Sequence, residues 1–145
     1  MKQHVTLMLA VWVLGATAFV VAQADQQVLK LSGAAETPAV TTKASGVATL
    51  VVKADGTVTG GVTTTALDGT AAHIHQGAAG ASGPPIIPLQ RAGTDQWLVP
   101  DGAKLTAGQI AAFKQGGLYI NVHSKAHPDG EIRAQLQAPQ EARSP

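Results

Sequence analysis

The feature that most constrains the fold of this chain is a period of two, in which apolar residues suited to a core alternate with residues that would face away from it. The period recurs in short segments separated by turn-forming residues. In the first such segment, Leu29 and Leu31 flank Lys30. Because successive side chains of a strand point to opposite faces, this period predicts strands with one face in a core. The segments that carry it are residues 28–32, 46–53, 57–67, 70–76, 118–123 and 131–137. They predict an all-β protein, an antiparallel β-sandwich or Greek-key barrel.

Composition and turn signals favour the same fold class. Charged residues make up 13% of the chain, aromatic residues 3%, and there are 16 glycines, which is typical of short strands joined by frequent turns. Asp55-Gly56 lies between two β-rich segments and predicts a hairpin. Gly60-Gly61 predicts a bulge or a sharp bend in the third strand. Residues 97–99 are expected to be a short strand or a core anchor, in which Trp97 packs.

One short helix is predicted after residue 105. Thr106 and Gln109 fit the N-cap and N3 positions of a capping box, in which each side chain bonds the backbone N–H of the other. Gly116-Gly117 would end the helix. A helix of two to three turns needs tertiary packing, which Ile110 and Phe113 would supply.

The first 24 residues are predicted to be a secretory signal peptide. Lys2 precedes an apolar run over residues 5–21, and Ala22-Gln23-Ala24 has the small-residue pattern of a cleavage site. An uncleaved membrane anchor is the alternative, but the run is short for a span. We therefore expect a domain over residues 25–138, located in the periplasm or secreted, with no membrane span after cleavage. Residues 139–145 are expected to be a disordered tail.

Charge and cysteine content exclude some classes of function. The chain has 10 Lys and Arg and 9 Asp and Glu, so loss of Lys2 with the leader leaves nine of each sign and no net charge. Nucleic acid is not expected as a partner, because phosphate binding needs a basic surface. The chain contains no cysteine, so an exported domain of this sequence must be held by its core, or by a metal in addition.

Histidines supply the main candidate chemistry. His73 and His75 lie two residues apart and so share one strand face, opposite Ile74. By the same parity, His123 projects from the face opposite Ile120 and Val122. These side chains, with Glu131 and Arg133, are predicted on faces turned away from the core. Two solvated surface histidines would be the simpler explanation of the pair.

If the strands are neighbours, His73, His75 and His123 can converge on an external metal site, with His127 as a fourth candidate ligand. Imidazole ligands without cysteine suit copper or zinc. The second nitrogen of each ring then needs an orienting partner, for which Glu131, Asp129 and backbone carbonyls are candidates. A metal–nitrogen bond near 2.0 Å requires ring nitrogens roughly 3 to 4 Å apart.

A long Gly- and Pro-rich loop is predicted after the histidine pair, over residues 77–89. Loops of this length usually move or cover something. The run AHIHQGAAGASGPPIIPL and the later run GGLYINVHSKAHPDGEIRAQL resemble the CHRD domain, a module named for chordin that also occurs singly in exported bacterial proteins. The resemblance extends over residues 28–137. It implies an immunoglobulin-like β-sandwich and leaves the molecular function open.

A more distant resemblance is to copper/zinc superoxide dismutases, on the H-x-H strand, a G-P segment and the V-H-x-K strand end. It implies a dismutase-like sandwich in which His73, His75 and His123 take the places of histidines that bind copper alone. Pro85 stands where the bridging histidine would fall, and the cysteine pair is absent. A dismutase also needs an arginine to attract the anion, for which Arg133 and Arg91 are the candidates.

Three functions stay open on these grounds. The residues favour an exported, non-enzymatic binding or structural module, with a protein partner in the cell envelope or outside the cell. The alternative is a copper or zinc protein that uses the three histidines, and a redox enzyme of the dismutase type is the third. Nucleophilic catalysis has no support, because none of the serines lies in a G-x-S-x-G motif.

Overall fold

The computed structural model describes residues 26–138. The predicted signal peptide and the predicted disordered tail lie outside these residues. Among them the strands are β1 (Gln26–Ser32), β2 (Ser45–Val52), β3 (Val58–Thr65), β4 (Gly69–Gln76), β5 (Pro85–Pro88), β6 (Gln90–Arg91), β7 (Gln96–Leu98), β8 (Leu118–Ser124) and β9 (Ile132–Gln135). A 3-10 turn, Gly33–Ala35, follows β1, and one helix, α1 (Ala107–Lys114), lies between β7 and β8.

The strands form one antiparallel sheet in the order β5-β4-β8-β9-β1-β2-β3-β7-β6. Its two halves meet between β9 and β1, where the register contains the single pair Ser32 and Arg133. We call β1, β2, β3, β7 and β6 the first half, and β5, β4, β8 and β9 the second half. The predicted all-β antiparallel fold with one short helix is confirmed.

The core takes about one side chain in two from the long strands, as the alternation predicts. A single apolar cluster joins the halves, so the sheet folds around one interior. Its largest fully buried apolar side chains are Leu31, Leu50, Ile74, Leu118, Ile120, Ile132 and Leu136. Burying an aliphatic side chain of this size stabilises a fold by about 1.5 to 3 kcal/mol.

The helix forms as its capping residues predict. Thr106 Oγ1 accepts from the backbone N–H of Gln109, and the Gln109 side chain accepts from the N–H of Thr106. Phe113 is buried in the core and Ile110 packs against it. No helix among residues 26–138 is long and apolar enough to cross a membrane.

Two local predictions differ from the structure. The loop predicted over residues 77–89 contains strand β5, which pairs with β4 although it begins and ends in proline. Proline is tolerated there because β5 is the edge of the sheet. The register of β2 and β3 runs through Gly60 and Gly61 without a shift, so no bulge forms; Gly60 instead has a φ of +117°, which a side chain would strain.

Candidate metal centre

The candidate site lies on the outer face of β4 and β8, the side of the second half that is turned away from the core. In the register of these two strands His73 is opposite Asn121, and His75 is opposite Tyr119. His123 is opposite Ala71, and so lies diagonally next to His73. Diagonal neighbours on one face lie roughly 7 to 8 Å apart, which long and aromatic side chains can span, and His75 shares the face of His73 two residues along β4. The three imidazoles therefore lie in one group.

The ring nitrogens of His73, His75 and His123 approach each other closely. One ligand atom from each of the three rings lies within 4.8 Å of the other two. The shortest distance, 3.0 Å, joins His73 Nδ1 to His123 Nε2. The His73–His123 distance matches the spacing of two imidazoles on one metal, and the group of three, within 4.8 Å, is compatible with a metal site. The three histidines lie near each other, as predicted.

Backbone carbonyls fix which nitrogen faces the centre of the group. His75 Nδ1 lies 2.8 Å from Gly83 O, and His123 Nδ1 lies 2.9 Å from Pro128 O. A carbonyl oxygen only accepts, so each Nδ1 carries the proton and donates. In the neutral ring Nε2 is then unprotonated and carries a lone pair: that of His123 faces His73 Nδ1, and that of His75 has no partner among residues 26–138. This is how metal-binding histidines are usually oriented.

The inner end of the site contains two buried acceptors. His75 Nε2 has no hydrogen-bond partner among residues 26–138, and neither has Asn121 Oδ1. His75 is 7% exposed and Asn121 1% exposed. An unpaired buried polar atom costs about 1 to 3 kcal/mol. A cation bound by the three histidines would pair with His75, and Asn121 lies on the same face, opposite His73.

Burial favours the neutral forms of His73 and His75. Burial lowers the pKa of His73 below 6.5, and the neighbouring His123 and His75 lower it further. Burial also lowers the pKa of His75, an effect that its bond to Gly83 O only partly offsets. Neutral imidazole is the form that binds a metal.

Two segments cover this face, and they make the site different from the external one predicted. The first is residues 77–84. Arg133 donates to the carbonyls of Ala78 and Ala81, each at 2.9 Å, and Gln135 donates to Gly77 O at 2.8 Å. Arg133 is 1% exposed. The parity that turns Arg133 away from the core is therefore right, and the expectation that this face is external is wrong, because the loop closes over it.

The second cover is residues 33–40. Its carboxylate Glu36 lies beside Asn121, with 3.5 Å between Glu36 Oε1 and Asn121 Nδ2. Burial raises the pKa of Glu36, although hydrogen bonds from Thr37 and Asn121 act against the change. The two covers are joined by a bond from Ser82 Oγ to Thr37 O at 3.3 Å. The metal candidate thus lies at the edge of a closed polar layer.

A stack of planar groups supports the histidines from one side. The rings of His75 and Tyr119 are nearly parallel, with centroids 4.7 Å apart. The guanidinium carbon of Arg133 lies 3.5 Å from the centroid of the same tyrosine ring. Tyr119 Oη accepts from the N–H of Gly83 at 3.2 Å. Tyr119 therefore packs on His75 and also holds Gly83, whose carbonyl orients His75.

The remaining predicted residues lie outside the group of three. His127 is half-buried and is not among the clustered histidines of residues 26–138; as a fourth ligand it stays a prediction. Glu131 accepts from Thr42 Oγ1 at 2.6 Å. Burial acts to raise its pKa, but hydrogen bonds from Ser124 and Thr42 lower it. Of the orienting partners proposed for the histidines, the backbone carbonyls are the ones found.

Neither arginine is placed to draw an anion to the histidines. Arg133 is buried under the loop, as described. Arg91 is in β6 of the first half, where its guanidinium stacks on Trp97 with 4.4 Å to the ring centroid and donates to Gly69 O. Arg133 holds the loop of residues 77–84, and Arg91 covers Trp97.

Sequence reasoning missed three residues that complete the site. Tyr119 and Asn121 share their strand parity with His123, so alternation alone places them on the histidine face. Glu36 follows a short 3-10 turn, and nothing in its local sequence indicates that it folds back over β8. Its position depends on where the chain between β1 and β2 packs.

Comparison with known proteins identifies the family of the chain. The profile of the CHRD domain matches residues 28–136, which spans β1 to β9. Searches of curated proteins and of solved structures find no match. The matched region includes all three clustered histidines and both covering segments, and this chain belongs to the CHRD domain family.

Proposed function

We propose that this CHRD domain is a non-enzymatic binding module, acting outside the cytoplasm, whose histidine cluster holds one copper or zinc ion. The observation that carries the proposal is that His73, His75 and His123 each offer one ring nitrogen and that these atoms lie within 4.8 Å of one another. The export of the domain is supported by the leader-like sequence of residues 1–24 and by the family.

The donor set fits such an ion. Three neutral imidazoles suit zinc and copper, whereas hard cations such as Mg²⁺ and Ca²⁺ require oxygen ligands. The tautomers of His75 and His123 are already fixed by Gly83 O and Pro128 O. In the metal-free state His73 Nδ1 donates to His123 Nε2 across 3.0 Å, and a bound ion would replace that proton. At equal availability the affinity order of divalent ions favours copper.

Metal retention tests the proposal directly. Purified protein is loaded with copper or zinc, passed through a desalting column and analysed for bound metal. We expect about one equivalent per chain, bound through three nitrogens, and its loss when His73→Ala and His75→Ala are combined. Copper coordination by nitrogen is read from the hyperfine structure of the electron paramagnetic resonance spectrum.

A matched control separates the cluster from histidine content in general. His127→Ala removes a histidine four residues from His123 and outside the group of three. We expect this variant to retain metal like the unaltered protein. Metal loss in His127→Ala would instead restore His127 as a ligand, and no retention by the unaltered protein would end the proposal.

The exposed rim of the loop supports a protein partner as part of the same module. Pro84 and Pro85 are exposed where residues 77–84 join β5, next to Gly83, which orients His75. We propose that an envelope or extracellular protein contacts this rim. Capture from a cell-envelope extract should then depend on Pro84 and Pro85, and should not change on metal removal. Capture that survives replacement of both prolines by alanine would contradict this assignment.

A dismutase function has weaker support from the arrangement of charges. The anion-attracting candidate Arg133 is 1% exposed and its donors are engaged by Ala78, Ala81 and Gln135. Copper-loaded protein should therefore accelerate superoxide decay no more than an equal concentration of free copper does.

A further inference from the structure

Asn121 is the one buried side chain of the metal candidate whose role the three-histidine site does not explain. It lies opposite His73 in the register of β4 and β8, and two residues before His123 on the same strand face. It is 1% exposed. Asn121 therefore lies buried next to the histidines, on the same face of the sheet.

The orientation of its amide follows from the neighbours on each side. Asn121 Nδ2 faces Glu36 of the second cover, with Oε1 3.5 Å away, and the turn before β9, where a Cβ on Gly130 would lie 2.7 Å from the same nitrogen. The oxygen is the other polar atom of the planar amide and is not the one next to Glu36, and Asn121 lies opposite His73 on β4. Asn121 Oδ1 has no hydrogen-bond donor among residues 26–138.

We infer that Asn121 Oδ1 selects the ligand at the metal's remaining position. The ligand it favours is small and has a hydrogen on its metal-bound atom, as water has. This inference rests on the proposed metal site. Three protein ligands leave a tetrahedral ion one open position. An amide oxygen is only an acceptor. It stabilises a ligand that donates to it and repels the lone pair of one that cannot. Glu36 keeps the amide nitrogen turned away from the site.

Azide is a suitable probe, because it coordinates copper without carrying a proton. Copper-loaded protein is titrated with azide and followed by the charge-transfer absorption band. Leucine is similar in size to asparagine and has no acceptor. In Asn121→Leu we therefore expect azide to bind about tenfold more tightly, a factor that corresponds to the net free energy of one hydrogen bond. The copper content should stay the same.

The matched control is Thr64→Val in the first half of the sheet. Thr64 is also buried, at 4% exposure, and its hydroxyl bonds Asp95 O. This variant should bind azide as the unaltered protein does. Equal azide affinity in Asn121→Leu and the unaltered protein, with copper retained, would overturn the inference alone. Copper loss specific to Asn121→Leu would also overturn it, because Asn121 would then be a direct ligand.

A measurement on the unaltered protein does not depend on how well the variant folds. Pulsed electron paramagnetic resonance of the copper form in H₂O and in D₂O detects exchangeable protons on a metal-bound ligand. We expect such protons to be present, and to be lost when azide is added in excess. Their absence from the copper form would overturn the inference. Failure of the unaltered protein to retain any metal would overturn the metal site and this inference together.

Discussion

The outer faces of the two halves of the sheet differ although the same alternation of residues builds both. On the first half, Val28, Val47 and Leu98 are 63%, 48% and 41% exposed; we call this side the open face. On the second half, Asn121 and Arg133 are each 1% exposed; we call this side the covered face. Apolar residues lie in water on one, and polar residues are buried on the other.

The difference shows that strand parity sets the direction of a side chain, whereas loops decide its environment. Residues 33–40 and 77–84 pack over the covered face and leave the open face bare. A polar group under such a cover must find partners inside the protein. Arg133, Gln135 and Tyr119 find them in the backbone of residues 77–84. The cover and the polar face are therefore stable only together.

The largest effect should come from Arg133→Met compared with Lys30→Met. Arg133 is fully buried, and its loss removes the guanidinium donors of the carbonyls of Ala78 and Ala81, of which only Ala78 O keeps another, the N–H of Ala81. We expect a decrease of about 3 kcal/mol in the free energy of unfolding, since hydrogen bonds to charged groups are worth about 1.5 to 3 kcal/mol each. Lys30 is exposed on the open face, so Lys30→Met should change it by less than about 0.5 kcal/mol. Urea denaturation measures both; equal effects would remove the distinction between the faces.

A smaller decrease in the free energy of unfolding is expected when a side chain is added at Gly83, in the cover formed by residues 77–84. A Cβ on Gly83 would collide with the carbonyl oxygen of Gln76, so Gly83→Ala must displace the carbonyl that orients His75. Overpacking of this kind costs about 1 to 3 kcal/mol, and metal affinity should fall roughly 10- to 100-fold. At Gly93 the nearest atom would be 3.9 Å away. Gly93→Ala should leave both quantities unchanged in denaturation and metal titrations.

Acid should weaken the metal-free covered face before it affects the open face. The pKa values of His73 and His75 are lowered from 6.5 by burial, so the unfolded chain binds protons more readily than the folded one. Stability is then full above about pH 6.5 and declines as pH falls below it. Thermal unfolding of metal-free protein across this range measures the decline, which should be shallower when both histidines are replaced by glutamine. A parallel pH dependence in that variant would contradict the assignment.

The smallest effect should come from the open face itself. Val47→Thr replaces an apolar side chain, 48% exposed, by a polar one of the same shape and β propensity. We expect a change within about 0.5 kcal/mol. Val122→Thr, the same substitution at a fully buried position of β8, should cost several times more, because the hydroxyl would be buried in the core. Similar values for the two would show that Val47 is covered in solution.

The strands and the histidine face could be predicted from the sequence because both depend on local periodicity. Leu29, Ala48, Ile74 and Ile120 are buried as the alternation requires. The capping box of Thr106 is likewise a local signal. The covering segments could not be predicted in the same way: Glu36 reaches Asn121 across 85 positions and Arg133 reaches Ala81 across 52. Such contacts depend on the packing of loops, which leaves no period in the sequence.

The diagonal placement of His73 and His123 also determines when the proposed metal site can exist. These two residues are separated by 50 positions in the chain and come together only through the pairing of β4 with β8. In an unfolded chain they are apart, and the carbonyls that orient His75 and His123 are not in place. The three-histidine arrangement is therefore a property of the folded domain, and an ion at the proposed site would be selected where folding is completed.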